Sequence, residues 1–273
     1  MFRAELLGLI TTTATKVSAL VAVVGLIITQ LAFVTVLPAL ARGDIGPGAA
    51  ELGPDLPMLD LTSAAAQLDA LNPLGASMGG GSIGIAVLAV VLLGTLAGTS
   101  DDRYGGMVGA ALASPRRSRI VVGKAAAVGL AGLVIGAVMA IVSLAALLVA
   151  LATSGTPFTA HIGDAVATLG RGVVAVAGLA LVGLALGILV RTQLAGVITA
   201  LSVLFAEPLL AATTSLITGG APVWMQFLPV ALAQNVIHGG SADMNPGAAL
   251  VAFAALFAAA LVAASVALTR RDL

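Results

Sequence analysis

Residues 101–124 read DDRYGGMVGAALASPRRSRIVVGK, a polar break between two apolar runs at 82–99 and 125–152. Five of the chain's twelve Lys and Arg residues fall in it: Arg103, Arg116, Arg117, Arg119 and Lys124. A bilayer core of ~30 Å is crossed by a helix of about 20 apolar residues. An apolar run, a basic stretch and a second apolar run therefore read as two spans joined by a loop on one side of a membrane. The polar stretch has the character of a cytoplasmic loop that docks another protein.

Working outward, the composition supports a membrane setting. The chain is 60% hydrophobic and 9% charged, against about 25% charged residues in soluble domains. Backbone groups in lipid must pair internally, which leaves helix bundles or closed barrels. The apolar runs are continuous rather than alternating, which excludes the barrel. Spans are expected at about 17–40, 82–99, 125–152, 165–190, 194–217 and 247–268. The first exceeds the 7–15 apolar residues of a signal peptide, although Ala39-Leu40-Ala41 resembles a cleavage site. Before it, Phe2, Leu6 and Leu9 or Ile10 recur at helical spacing, as in an amphipathic helix lying on the membrane surface. The acidic stretch 42–81 is expected to be an irregular outer loop with a short helix near 59–71, and 218–246 is broken by Gly219, Gly220, Pro222, Pro229 and Pro246 into a re-entrant-like segment. Gly80/Gly84 and Gly94/Gly98 are small-xxx-small pairs that permit close helix packing, weak evidence in a chain with 33 glycines.

Charge fixes an expected orientation. With the N-terminal end inside, the inner segments hold Arg3, Lys16, Arg103, Arg116, Arg117, Arg119, Lys124, Arg191, Arg270 and Arg271, while the outer ones hold only Arg42. That is a strong positive-inside bias. The expected fold is an all-α polytopic membrane protein of six transmembrane helices with both ends cytoplasmic. Ten Arg against two Lys, with abundant Ala, Gly and Val, has the look of a GC-rich bacterial genome, so the expected location is a bacterial cell membrane.

Within the loop, Ser100 or Asp101 is suited to cap a helix N-terminus. Tyr104, Met107, Val108, Ala111 and Leu112 would form one apolar face, and Ser114-Pro115 is a second helix start. This stretch resembles the corresponding loop of ABC-transporter permeases of the type-2 (drug and polysaccharide exporter) class. The matching elements are Asp101-Asp102-Arg103, Gly105 or Gly106, the apolar turn 107–113, Ser114-Pro115 with Arg117-Ser118-Arg119, and Gly123-Lys124. The turn 107–113 carries no charge, where family members often place an acidic residue. The layout of the whole chain is similar too. The resemblance implies a single permease domain over 1–273, with a coupling helix in loop 100–124 that enters a cleft of a separate ATPase subunit. Asp101, Asp102, Arg103, Tyr104, Met107, Val108, Leu112, Pro115, Arg116, Arg117 and Arg119 would make that contact. A second copy, or a homologous permease, would complete the pathway. No G-x-x-x-x-G-K-[ST] occurs, Gly123-Lys124 being followed by Ala125, so ATP and Mg are expected on the partner and no cofactor on this chain. Drug, antibiotic or lipid-like substrates are expected over polysaccharide, because the spans are poor in aromatic residues. No nucleic-acid partner is implied.

Glu207-Pro208 interrupts the fifth span, and an intramembrane carboxylate is a functional candidate by default. Two readings stand: an ion pair with Arg171 or a hydrogen-bonded kink, and a direct role in substrate passage or gating. Glu207 as the proton site of a secondary transporter is the alternative from another class. A third is an intramembrane serine protease. Gly75-Ala76-Ser77-Met78-Gly79 matches G-x-S-x-G, but the strand–turn–helix context of that motif is missing. His161 and His238 are expected as loop histidines in water, without metal-ligand spacing. Asp44 to Asp69 are either a solvated acidic loop or an attractor for cationic substrate, and Trp224 reads as an anchor at the outer interface.

Overall fold

The computed structural model describes residues 2–46, 60–75, 84–104, 117–190, 192–220, 222–238 and 244–270. Among them the secondary structure is helical throughout: α1 (Phe2–Thr11), α2 (Thr13–Gln30), a π-helical stretch (Leu31–Val36), α3 (Leu37–Arg42), α4 (Ala64–Ala70), α5 (Ile85–Tyr104), α6 (Arg117–Ser154), α7 (Ile162–Val190), α8 (Gln193–Thr218), a 3-10 turn (Val223–Phe227), α9 (Pro229–His238) and α10 (Pro246–Thr269). Five rods are long and apolar enough to cross a membrane: Thr13–Leu40, Arg119–Ser154, α7, α8 and α10; the apolar part of α5, Ile85–Ser100, is shorter.

Helix ends follow local chemistry. Gly43 and Gly219 stop α3 and α8 in the left-handed conformation, at φ of 77° and 74°. Asn245 caps α10 by accepting from the Gly247 N–H at 2.8 Å, with Pro246 in the first turn, where its missing N–H is not needed.

The bundle is built around α7, whose side chains from Ala175 to Ala180 are all buried. α5, α6, α8, α9 and α10 all pack against it. The tightest crossing is with α5. A methyl group at Gly94 would overlap the Ala180 carbonyl, one at Gly98 would lie 2.7 Å from the Leu184 oxygen, and methyls at Gly183 and Gly187 would overlap the Val91 and Thr95 carbonyls. Gly94-xxx-Gly98 and Gly183-xxx-Gly187 thus interlock backbone to backbone, the approach that small residues permit where water supplies no driving force. The other neighbours meet α7 similarly. Phe253 of α10 lies over Gly178, and Gly132 of α6 would place a methyl 2.7 Å from the Ala177 Cα.

Several expectations change. Ser100 and Asp101 start no helix, because α5 runs unbroken through Tyr104 and the Ser100 hydroxyl donates to the Ala97 carbonyl at 2.9 Å. α6 is already helical at Arg117, so the basic turn runs directly into the third span, as the second helix start at Ser114-Pro115 led one to expect. Residues 60–75 hold the short helix expected near 59–71, which is α4, but they are not a loop outside the bundle. They fold into the bundle, with Leu61, Ala70, Leu71 and Val34 packed among Leu147, Ala150, Leu151 and Ala165.

If the α5–α7 crossing holds the bundle, Gly183→Val should destabilise the protein by ~3 kcal/mol or more through overpacking. Gly170→Ala, on the same helix with open space around it, should be neutral or slightly stabilising. Thermal unfolding in mild detergent compares the two.

Candidate functional site

Met107, Val108, Leu112, Pro115 and Arg116 lie outside the described residues, as does Ser77. Asp101, Asp102, Arg103 and Tyr104 form the last turn of α5, Arg117 opens α6, and Arg119, two residues in, is exposed. Both ends of the loop are therefore ends of continuous helices that pack on α7. At ~1.5 Å per residue the 38 residues of α6 extend about 57 Å, roughly twice the bilayer core. Lys124, the end of the quoted stretch, is buried. Its ammonium lies 3.3 Å from Glu5 and donates to the Ala97 carbonyl at 3.2 Å, which ties α1 to both α5 and α6. Leu9, on the same side of α1, is buried in the core, while Leu7 and Ile10 stay exposed.

Glu207 is buried in α8. Its carboxylate accepts from the Val230 N–H at 3.0 Å and the Ala231 N–H at 2.6 Å. These are among the N–H groups at the start of α9 without a helical partner, and an anion there is favoured by the helix dipole. The Arg171 guanidinium instead donates to the Ala167 carbonyl at 3.2 Å and reaches Thr168 Oγ1 at 3.5 Å. The two groups thus have separate partners, and Glu207 fastens the middle of α8 to the start of α9. Pro208 follows within the helix, half-buried.

A second polar constellation lies where residues 60–75 enter the bundle. Gln30 of α2, 1% exposed, donates from Nε2 to the Ala70 carbonyl and the Ser143 hydroxyl, each at 3.0 Å. Ser143 of α6 donates to the Asn72 carbonyl at 3.1 Å. Gln67 of α4, fully buried, donates to the carbonyls of Leu61 and Pro157 and accepts from the N–H groups of Thr159 and Ala160. All but the Gln30–Ser143 bond satisfy a backbone group that burial would leave costly. Gln30 Oε1 is buried without a partner among the described residues. The π-helical stretch begins at the next residue and supplies Val34 and Phe33 to the same seat. Such π segments recur at functional positions in helices.

From the other side, Asn72 Nδ2 donates to Gln234 Oε1 at 2.8 Å and lies 3.1 Å from His238 Nε2, both on α9. The Leu74 N–H, donating to Asn72 Oδ1 at 2.9 Å, fixes the orientation of that amide. His238 Nε2 is 3.4 Å from Asp69 Oδ1. Expected as a solvated loop histidine, it is largely buried at the end of a helix. His161 is exposed and accepts from the Gly163 N–H at 3.1 Å, outside this cluster. No group of three or more His, Cys, Asp or Glu side chains among the described residues is placed to hold a metal.

The constellation can act as a polar seat with one titratable contact. Asp69 from α4 and Arg171 from α7 are the charged groups acting on His238. Burial pushes the imidazole below its ordinary value of 6.5, Asp69 opposes this, and Arg171 adds to it. Nothing in the sequence flagged Gln30, Gln67, Asn72, Ser143 or Gln234 as partners. The one available signal was their polarity within or beside apolar runs. No protein-family profile and no curated protein matches this chain.

Two predictions follow from this geometry. An imidazole below its ordinary value binds its proton more readily when α9 is undocked, so stability is full above about pH 6.5 and is lost as pH falls below it. Thermal unfolding measured from about pH 8 down to about pH 5 should show that loss, and His238→Gln should flatten it. Glu207→Ala should lower stability by ~1–3 kcal/mol by stripping the start of α9, and Glu207→Gln, which keeps one acceptor oxygen, by less. Proteolysis of the α8–α9 connection reads both.

Proposed function

We propose that this chain is the membrane-spanning permease subunit of an ATP-driven exporter of the ABC type-2 class. It is embedded as six spans with both ends of the chain on the cytoplasmic side of a bacterial cell membrane. It forms half of the translocation pathway for a drug, antibiotic or lipid-like substrate and works with a second copy or a homologous permease. ATP and Mg are handled by a separate ATPase subunit.

The observation that carries this reading is the continuity of α5 and α6 into the basic loop. The stretch resembling a coupling loop is bracketed by helices that run without interruption to the bundle centre, where α5 is locked to α7 by glycines. Motion of an ATPase against the loop would be delivered to the bundle rather than absorbed in a hinge. The charge asymmetry supports the orientation: ten Lys and Arg residues fall on the loop's side against Arg42 on the other. Glu207 as the proton site of a secondary transporter has less support, because both of its oxygens already accept backbone N–H groups.

Purification from the native membrane in mild detergent tests this reading. A P-loop ATPase should accompany the unaltered chain and be lost with Met107→Asp, which places a charge on the loop's apolar face. Absence of any ATPase from the unaltered protein under several solubilisation conditions contradicts it.

A further inference from the structure

Three observations meet at residues 60–75. The first is a seat with two kinds of fastening. On the inner side Leu71 and Ala70 are held among apolar groups of α6 and α7, and Pro73 lies over Gly172, where any side chain would overlap its ring. Toward α9, Asp69 and Asn72 meet His238 and Gln234. The second is that the seat is polar beneath. Gln30 and Ser143, from two different long helices, bind main-chain carbonyls of the segment, and withdrawing the segment would bare both. The third is an incomplete fit: Gln30 Oε1 is buried with no partner among the described residues, beside a π-helical stretch. A purely structural core has little reason to retain an orphan acceptor, whereas a seat that is alternately filled and vacated must leave its groups able to bond something else.

We propose that residues 60–75 are a displaceable plug over the polar seat made by Gln30 of α2 and Ser143 of α6, latched to α9 through the contacts of Asp69 and Asn72 with His238 and Gln234. The plug closes this seat on the side opposite the basic loop. When the latch opens, Gln30 and Ser143 face solvent from that side. α9 is itself fastened to α8 by Glu207, so movement of α8 pulls on the latch. The plug's use as an outer gate of a transport pathway rests on the permease reading. Its existence as a movable element does not.

The chain has no cysteine, so a single introduced thiol reports without background. Ser143→Cys is close to isosteric and sits at a fully buried position beneath the plug. Intact cells are exposed to a membrane-impermeant maleimide and the labelling rate is measured. Ser143→Cys should label far more slowly than Thr62→Cys, whose position is exposed. Adding Asp69→Asn or His238→Gln should raise the rate about tenfold, and Asp44→Asn, which alters an exposed pair with Arg42, should leave it unchanged. Ala150→Cys, 2% exposed in the same apolar seat, is the second reporter should Ser143→Cys fail to accumulate. The plug is refuted if neither latch variant changes labelling at either reporter, or if the buried thiols label as fast as Thr62→Cys without them. Labelling requires no ATPase, so loss of the permease reading and loss of the plug are separate results.

Discussion

The structure depends on the crossing of α5 and α7. Two helices can bring carbonyl groups within reach of each other's Cα atoms only where no Cβ intervenes, and Gly94, Gly98, Gly183 and Gly187 provide that on both partners. In lipid the gain comes from close packing rather than from expelling water, so the crossing is sensitive to single methyl groups. It also fixes a register. With α5 seated on α7, Thr95 and Thr99 present their methyls to Gly196 of α8 at 3.1 and 3.2 Å from where its Cβ would be. Their hydroxyls are satisfied within α5 by the carbonyls of Val91 and Thr95. The three helices thereby meet through glycines and methyl groups.

The opposite chemistry governs the outer insertion. A segment entering an apolar bundle without long helical structure must find partners for its backbone groups, and residues 60–75 find them in amide side chains. Gln67, itself in the segment, serves the Leu61 carbonyl and three main-chain groups of the neighbouring connection, those of Pro157, Thr159 and Ala160, and Ser63 starts the short helix by accepting from the Ala66 N–H at 3.2 Å. Asp60 is held below the usual carboxylate range by the hydroxyl and N–H of Thr62 and braces the turn before it. Glycine packing holds the bundle near the basic loop, and hydrogen-bonded side chains hold it at the other end.

The helices were legible because their signal is long and local. Continuous apolar runs with breakers at Pro222, Pro229 and Pro246 place α7, α8 and α10 to within a few residues. Gly94/Gly98 was visible as a pair, but its meaning was not, because the partner pair Gly183/Gly187 lies some ninety positions away and glycines are abundant. The fate of 60–75 was hidden for a related reason. Its acidic and Pro-rich flanks read as an outer loop, and the polar groups that draw it inward are single residues on separate segments, Gln30, Ser143 and Gln234. His238 looked like a loop histidine because the ten-residue helix that carries it follows two breakers. Glu207 was found as an outlier, but its partners are backbone N–H groups, which carry no side-chain signature. Nor is the choice of Ser100 as a helix cap surprising, since polar residues at the end of an apolar run look alike whether a helix stops or continues.

The proposed six-span layout sets the basic loop and residues 60–75 on opposite faces of one membrane. Single-cysteine mapping in the cysteine-free background checks this, using Thr62→Cys and Gly220→Cys for one face and Thr12→Cys and Thr192→Cys for the other. An impermeant maleimide should label the first two in intact cells and the second two only after permeabilisation. Labelling of Thr192→Cys from outside, or protection of Thr62→Cys until the membrane is opened, would contradict it.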